Sequence, residues 1–388
     1  MSQDKPLTGI HVVEHTSGVA GAWAGRLLAA MGAEVTLVEP ETGCVLRRTA
    51  PFLPSGESAL FAYVAADKKS VICDLETETG RASLASLLTA ADIFIDDTPV
   101  KGRASLGIDE VGIAARYPDL IHLSVLPYGS YGPKADWSGT EINLIHAGGE
   151  GFLLPNGLSA SMFPDRPPLK IAGHFAQMQG GVVAALSALS ALWSRDGQYV
   201  DASVQDANAA VGAFAIQRFG DGSVEHRLTR SFRYGGVIEC KDGYVELLTL
   251  EERQWQGLVS LMGDPEWAQD PALNDAVARS NAGDMINRRI RDWACQFNVE
   301  DLVARAQELG VPMARYNAPH QILEGAHEVA RGAFQNVQTV SDGVIKVQAA
   351  PFRFADAPVR IHAAAPQPGA HQYILDTTRP VLSKRVTT

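Results

Sequence analysis

The sequence predicts an α/β protein with a Rossmann-like large domain and a smaller α+β domain. Strand-like and helix-like runs alternate through about the first 125 residues with short connections, which is typical of a parallel sheet. A hairpin followed by charged, amphipathic helices occupies about residues 235–325. The length of 388 residues exceeds a usual single domain, so two domains or one large domain with an insertion are expected.

The large domain begins with a βαβ unit at residues 9–40. Apolar runs at 9–16 and 34–38 predict two strands, and the run AWAGRLLAAM at 22–31 predicts the helix between them. The alternation continues with strands at 70–75, 92–95 and 120–126 and with helices at 76–89 and 109–116. The run at 178–193 is small and apolar nearly all round, which indicates a buried helix, and a strand follows at 198–204.

The domain boundaries follow from the change of pattern along the chain. We expect the large domain at 1–215, the small domain at 225–325 and a C-terminal segment at 331–388 that returns to the large domain. The small domain should open with a hairpin that pairs 237–239 with 244–248. Prolines between Pro351 and Pro368 predict that the C-terminal segment runs extended over the surface.

The composition excludes several classes of protein. With 46% hydrophobic and 20% charged residues, the chain is typical of a globular protein. No window is expected to supply the roughly 18 uncharged apolar residues of a membrane span, and no signal-peptide pattern opens the chain, so a cytoplasmic location is expected. The cysteines show no CxxC or Cys/His spacing, which argues against a disulfide framework and a zinc site. The net charge of -11 disfavours a nucleic-acid partner.

The turn after the first strand is a candidate nucleotide site. Residues 17–21, Ser-Gly-Val-Ala-Gly, place small side chains at a helix start, where main-chain amides can bind phosphate. The dinucleotide pattern GxGxxG is not met, so glycines that only allow close packing are an equal alternative. Glu39 could bind a ribose hydroxyl or cap the chain. Lys68, Lys69 and Arg103 are expected near the carboxyl ends of the sheet, where they could pair with phosphates or lie solvated on the surface.

The candidate catalytic residues lie around residue 141 and just before the apolar helix. His174 and Gln177 stand at the start of that helix, where the N-terminus can stabilise an oxyanion, although a histidine there is more often structural. Glu141 and His146 precede a Gly-Gly pair. The patterns GxSxG, HExxH and GxxxxGK[ST] do not occur, so the sequence gives no support to those common enzyme classes.

Several motifs between Pro6 and Leu375 together resemble the pattern of one known family. They are PLTGIHVVEHTSGVAG, GAEVTLVEP, DKKSVICDL, ADIFIDD, YPDLIHLSVLPYGSYGP, GQYVDASVQDA and GAHQYIL. In this order and spacing they resemble the class III CoA-transferase family, which includes formyl-CoA transferases, carnitine CoA-transferases and α-methylacyl-CoA racemases. The resemblance implies a Rossmann-like large domain made from both chain ends, a small domain between them, and an interlinked dimer.

The resemblance also implies that coenzyme A is bound as part of an acyl-CoA substrate, with no metal. By position, its contacts would include the Ser17–Ala20 turn, the segment around Asp67 to Lys69 and the loop from Lys101 to Leu106. The individual residues expected to bind CoA are Ser17, Gly18, Val19, Ala20, Lys68, Lys69, Arg103 and Leu106.

In the transferases of this family an Asp attacks the acyl-CoA thioester. Aligning residues 167–181 without gaps places Gln177 at that Asp, so the expected nucleophile is absent. An amide is a poor nucleophile but can donate a hydrogen bond to a thioester carbonyl or a carboxylate. A racemase of this family would need two general bases, a His at the position of Thr140 and an Asp near Gln177. Neither is present. Glu141 matches an acidic position of the transferases, and His174 is the nearby alternative base.

Three functions remain open at this point. The first is an acyl-CoA:carboxylate CoA-transferase, or a close variant, that uses Glu141, His174 or direct attack by the acceptor. The second is a non-catalytic CoA-binding subunit that forms a heterodimer with a catalytic paralogue. The third is another acyl-CoA reaction, such as isomerisation, dehydration or a racemase-like reaction, in which Gln177 polarises the thioester. For the CoA-transferase function, the expected partners are an acyl-CoA, a small carboxylate and a second copy of the chain in a homodimer.

Overall fold

The computed structural model describes residues 5–153, 165, 167–212, 234–355, 357 and 359–376. They fall into two compact units. The large unit contains residues 5–153 and 167–212 together with the described residues from 332 to 376, and the small unit contains 165 and 234–331. Segments from both halves of the chain therefore build the large unit.

A six-stranded sheet forms the centre of the large unit. Its strands are β1 (His11–His15), β2 (Glu34–Glu39), β3 (Lys69–Ile72), β4 (Ile93–Asp96), β5 (Ile121–Leu126) and β6 (Gln198–Ser203). All neighbours pair in parallel in the order β3-β2-β1-β4-β5-β6, which confirms the predicted α/β class. The strand order reverses between β1 and β4, and open α/β sheets bind ligands at such a switch point, outside the carboxyl ends of the strands.

Helices connect these strands and cover the sheet. They are α1 (Val19–Ala30), α2 (Ala59–Val64), α3 (Glu78–Thr89), α4 (Val100–Leu106), α5 (Glu110–Arg116), α6 (Glu141–Ala147), α7 (Glu150–Leu153), α8 (Phe175–Ser194) and α9 (Val204–Val211). Helix α1 is buried along its whole length, and it packs against α8. Both helices begin three residues earlier than the apolar runs predict, so each helix start includes a candidate site residue.

Helix α8 has one buried and one exposed face. The buried face consists of glycine and alanine, and it lies so close to α1 that a Cβ on Gly181 would stand 2.6 Å from the Ala20 carbonyl oxygen. By length and composition alone this helix could cross a membrane, which corrects the expectation that no segment qualifies. Its packing against α1 and the sheet is that of a core helix in a globular domain.

The C-terminal segment of the large unit contains a hairpin that the proline pattern does not predict. Strands β10 (Phe334–Gln338) and β11 (Val344–Gln348) pair antiparallel. Further on, His371 donates its amide to the Ser70 carbonyl at 2.9 Å, and Gln372 accepts the Ile72 amide at 2.9 Å. These bonds cover the open edge of β3, which would otherwise leave main-chain groups unpaired.

The small unit is a three-stranded antiparallel sheet with helices. Its strands are β7 (Gly236–Cys240), β8 (Gly243–Leu247) and β9 (Met313–Arg315), of which the first two form the predicted hairpin. Its helices are α10 (Glu252–Leu261), α11 (Ala276–Asn281), α12 (Gly283–Ala294), α13 (Val299–Glu308), α14 (Pro319–Ile322) and α15 (Ala326–Arg331). A separate core around Trp255, Ile286 and Leu302 holds the unit together.

Candidate active site

The N-termini of α1 and α8 meet at the switch point of the sheet. Gly18 is the N-cap residue of α1, and a Cβ there would lie 3.1 Å from a carboxylate oxygen of Asp97 and 3.8 Å from Oε1 of Gln177. His174 is the N-cap residue of α8, and Gln177 lies in its first turn. Because helix N-termini carry partial positive charge, their convergence creates a place that favours developing negative charge.

Asp97 fixes the turn that precedes α1. Its carboxylate accepts the Ser17 amide at 2.9 Å and the Gly18 amide at 2.6 Å, and the Ser17 hydroxyl lies 3.3 Å away. Burial raises the pKa of Asp97, and the hydrogen bonds from the two amides oppose that rise. The amides expected to bind phosphate are therefore already bound by a carboxylate of the protein itself.

Gln177 is held through both its side chain and its main chain. Its Oε1 accepts the Val19 amide at 3.2 Å. Since a main-chain amide can only donate, the carboxamide must turn its oxygen towards Val19 and its NH2 group away. Within the described part of the chain, that NH2 group has no hydrogen-bond acceptor, and Gln177 lines a cavity. The carboxamide is therefore a donor available to a ligand.

Glu141 is the first residue of α6, and its carboxylate caps α8. One oxygen accepts the Ala176 amide at 2.7 Å, and the other accepts the Gln177 amide at 3.2 Å. The Glu141 side chain is buried.

His174, the alternative base that the sequence suggests, is half-buried, and its Nδ1 has no hydrogen-bond partner among the described residues. His146 lies 3.0 Å from the Leu169 carbonyl oxygen and takes no part in this arrangement.

The cavity has a volume of about 330 Å³. Its walls come from the turns after β1 and β4, from the end of β5 and from the segment that leads to α6. Its lining residues include Ser17, Gly18, Ala20, Asp97, Lys101, Trp137 and Gln177. Glu141 and His174 are not among its lining residues. A cavity of this size at a switch point is typical of a small-molecule site.

The structure does not bring Lys68 and Lys69 to the cavity. The sequence predicts both lysines near the carboxyl ends of the strands. Strand β3 begins at Lys69, so they lie at its amino-terminal end instead. Lys68 is buried, with its ammonium group within 2.9 Å of both Glu14 oxygens and 2.8 Å of the Ala22 carbonyl. These three acceptors use all its donors. Lys69 pairs with Glu34 at 3.0 Å.

Arg103 and Leu106 are also turned away from the cavity. Arg103 is buried, lies 3.0 Å from Asp96 and donates to the Thr98 carbonyl, Tyr199 and Ser124. Its guanidinium therefore has no free edge for a phosphate. Leu106 packs into the core beside α3 and β4.

The remaining nucleotide candidate, Glu39, makes a structural ion pair. Its carboxylate accepts Arg47, Ser70 and the Cys44 amide. The hydrogen bonds from these groups outweigh burial and lower the pKa of Glu39. Of the two roles that the sequence leaves open for Glu39, the contacts support the cap.

Asp97 and Trp137 line the cavity, although the sequence does not indicate them as site residues. Asp97 is the last residue of the run ADIFIDD, to which the sequence assigns no chemical role, and Trp137 lies in none of the motifs. Position is the signal for Asp97, because it directly follows β4 at the switch point. Trp137 is 59% exposed, and its ring packs edge-on against Tyr128.

Comparison with known proteins identifies the family. The sequence model of CoA-transferase family III matches residues 7–372. The chain is 32% identical over 324 residues to the probable CoA-transferase Rv1866 of Mycobacterium tuberculosis, which covers 81% of this chain but only 40% of that longer protein. It is 29% identical to the succinate–glutarate CoA-transferase of Agrobacterium fabrum, over 95% of this chain and 94% of the relative. A relative at 26% identity, covering 95% and 87%, is the alpha subunit of a Chloroflexus aurantiacus succinyl-CoA–L-malate CoA-transferase.

Solved structures agree with the sequence comparisons. A CAIB/BAIF family protein from Brucella suis superimposes with a TM-score of 0.83 at 26% identity, over 96% of this chain and 99% of that one. The chain therefore belongs to CoA-transferase family III.

Proposed function

We propose that this protein is an acyl-CoA:carboxylate CoA-transferase that works without a carboxylate nucleophile at position 177. One observation carries the proposal. The side chain that the two helix N-termini direct at the cavity is a carboxamide, oriented as a hydrogen-bond donor. A donor placed there suits the carbonyl oxygen of a thioester, which gains negative charge when the carbonyl carbon is attacked.

The reaction can proceed by direct attack of the acceptor. An oxygen of the acceptor carboxylate attacks the thioester carbonyl carbon. The C–S bond breaks, CoA departs as its thiolate, and the two acids are joined in a mixed anhydride. The thiolate then attacks the acceptor's carbonyl carbon in the anhydride, and the donor leaves as a free carboxylate. Since no proton is gained or lost overall, this route needs no general base. Gln177 would stabilise the oxyanion formed at the first attack, a contribution of about 10²–10³ in rate for one such donor.

The cavity also limits where CoA can bind. Ser17, Gly18 and Ala20 line it, but Asp97 already holds the first two amides, so these residues supply contact surface rather than a phosphate site. Lys101 is the exposed cation in the cavity wall. We assign the CoA diphosphate to Lys101, because a charged ligand needs a cation whose donors are free.

The test uses the purified protein with a panel of acyl-CoAs and isotopically labelled carboxylates. Mass spectrometry should detect the acceptor's CoA thioester, and initial rates should fit a sequential mechanism because both substrates must be bound together. Incubation with acyl-CoA alone should leave the protein mass unchanged. Ping-pong kinetics with an adduct on Asp97, Asp136 or any other carboxylate would overturn the direct route, and failure to bind any acyl-CoA would overturn the function.

A non-catalytic subunit is the second candidate function. The alpha subunit among the relatives belongs to a heteromeric CoA-transferase by name, and the carboxamide at position 177, where the family resemblance implies a carboxylate, favours such a role. If CoA binds but transfer appears only after a catalytic paralogue is added, this candidate is correct. Turnover by the homogeneous protein excludes it.

The exposed face of α8 supports a homodimer as part of the first proposal. Val182, Leu186 and Trp193 form an apolar stripe along it, and Trp193 is 90% exposed. A second copy would remove that stripe from water. Sedimentation of the purified chain tests this, and a monomer at micromolar concentration would contradict it. The cytoplasmic location stays a prediction.

A further inference from the structure

We infer that Asp97 is a positioning residue for Gln177, because it holds the turn whose next amide orients the Gln177 carboxamide towards the substrate. The inference rests on the proposed function, in which Gln177 donates to the thioester carbonyl. It assigns a task to an acidic residue that the direct transfer route does not otherwise use.

The first step is the bond between Asp97 and the turn. Its two oxygens hold consecutive amides, those of Ser17 and Gly18, at 2.9 and 2.6 Å. Gly18 is the N-cap residue of α1, so these bonds fix the place where the helix starts. A Cβ on Gly18 would crowd Asp97, which shows how closely the carboxylate fits the turn.

The second step joins the turn to the candidate catalytic side chain. Val19 is the first residue of α1, and its amide donates to Gln177 Oε1 at 3.2 Å. This amide selects one of the two carboxamide orientations. If the turn moved, the carboxamide could rotate and present its oxygen to the thioester oxygen, where two acceptors repel. The orientation of Gln177 therefore depends on Asp97 through Gly18 and Val19.

The third step is the rigidity of Asp97 itself. It follows strand β4, and its amide lies 3.4 Å from the His15 carbonyl of β1. Its neighbour Asp96 is fully buried, accepts the Thr98 amide at 2.9 Å and pairs with Arg103 at 3.0 Å. The chain on either side of Asp97 is thus anchored in the sheet, and a fixed carboxylate can transmit its position to the turn.

The test compares two CoA analogues that differ in one acceptor. In the ketone analogue a methylene group replaces the thioester sulfur and the carbonyl remains, whereas the S-alkyl thioether has no carbonyl oxygen. The wild-type protein should bind the ketone about tenfold more tightly than the thioether, the value of one good hydrogen bond. Gln177→Met should remove this preference, and Asp97→Ala should reduce it to less than about twofold.

Two variants separate positioning from simple helix capping. Asp97→Asn keeps one acceptor oxygen and should give an intermediate preference. Asp109→Ala removes the same kind of cap from α5, where Asp109 accepts the Gly112 amide at 2.8 Å away from the cavity. It should destabilise the protein in thermal melts but leave the ketone preference unchanged.

The outcomes distinguish the two claims. If neither analogue binds the wild-type protein, the proposed function fails. If both bind and Gln177→Met removes the preference while the folded Asp97 variants keep it in full, Gln177 retains its role and the inference about Asp97 is wrong. If Asp97→Ala does not fold, the result with Asp97→Asn decides, since full retention of the preference in that variant also contradicts the inference.

Discussion

The carboxylate of Glu141 accepts the main-chain amide of Gln177 at 3.2 Å, and its other oxygen accepts the Ala176 amide at 2.7 Å. Glu141 thus acts as the cap of a helix to which it does not belong. A carboxylate in this arrangement has both oxygens engaged and lies outside the cavity wall. We therefore assign it the task of fixing the first turn of α8, which carries Gln177, rather than the role of base or nucleophile.

Substitution of Glu141 tests this assignment. Glu141→Gln keeps one acceptor oxygen and should cost about 1 kcal/mol in the free energy of unfolding, with transfer activity reduced less than about tenfold. Glu141→Ala leaves both amides without their cap and should cost about 2 kcal/mol. Urea unfolding and steady-state rates give the two quantities. A loss of about a thousandfold in kcat for Glu141→Gln at unchanged stability would show that the carboxylate takes part in the chemistry.

Gln177→Glu should convert the site into one with an enzyme nucleophile. The substitution keeps the side-chain length, so one oxygen can still accept the Val19 amide while the other faces the cavity. The new carboxylate should attack acyl-CoA, release the thiolate and form an anhydride, which the thiolate then cleaves to give an enzyme–CoA thioester and the free acid. Intact mass spectrometry should show a gain equal to CoA less water, and hydroxylamine should remove it.

The matched controls for that variant are Gln177→Met and His174→Asp. The first has similar length but no nucleophile and should form no adduct. The second places a carboxylate at the N-cap of α8, outside the lining of the cavity. An adduct on His174→Asp but not on Gln177→Glu would show that the reacting carbon lies next to residue 174, and the proposed role of Gln177 would be lost.

The sequence predicts the sheet well because its signals are local. Strands β1, β2, β4 and β5 are short apolar runs, and each lies within two residues of its predicted bounds at both ends. The helix starts are different. Helix α1 begins at Val19 because Asp97, some 80 positions away, caps its turn, and α8 begins beside Glu141, about 35 positions away. A helix cap that a distant segment supplies gives no signal in the local hydrophobic pattern.

The burial of individual charged residues is equally hard to predict from the sequence. Lys68 has the appearance of a surface or ligand-binding lysine, yet it is 3% exposed because Glu14, 54 positions earlier, pairs with it. Arg103 is buried by its contact with Asp96. Burial of a charge depends on a partner brought close by the sheet, and the resemblance to a family does not specify that partner for each position.

Two lysine variants should therefore behave in opposite ways. Lys68→Met leaves the Glu14 carboxylate buried without its partner and should cost about 3–5 kcal/mol of stability. Its folded form should bind CoA with nearly unchanged affinity. Lys101→Met should change stability by less than about 0.5 kcal/mol, because the residue is exposed. It should weaken CoA binding about tenfold through loss of a charge-assisted contact.

Thermal melts and calorimetric titration with CoA measure both effects. The affinity of the wild-type protein should also fall as the salt concentration rises, and this dependence should be weaker in Lys101→Met. If Lys68→Met loses CoA affinity while Lys101→Met keeps it, the assignment of the diphosphate to Lys101 is wrong.

Asp96 should make stability depend on pH in the acid range. Burial alone would raise its pKa, but contacts with His122 and His15 and the charge of Arg103 hold the pKa well below its usual range. A carboxyl whose pKa is lower in the folded than in the unfolded state stabilises the fold above the unfolded pKa of about 3.9. That contribution is lost as the pH falls through this value towards the lower, folded pKa.

Asp96→Asn isolates this contribution. At pH 7 the variant should lose about 3–5 kcal/mol, since Arg103 stays buried without its carboxylate. The deficit should shrink below about pH 4, because the carboxyl group of the unfolded wild-type chain then binds a proton, whereas the variant has no such group. Urea unfolding at several pH values measures the difference. A deficit that stays the same down to about pH 3 would mean that Asp96 is stabilised by shape and hydrogen bonding rather than by its charge.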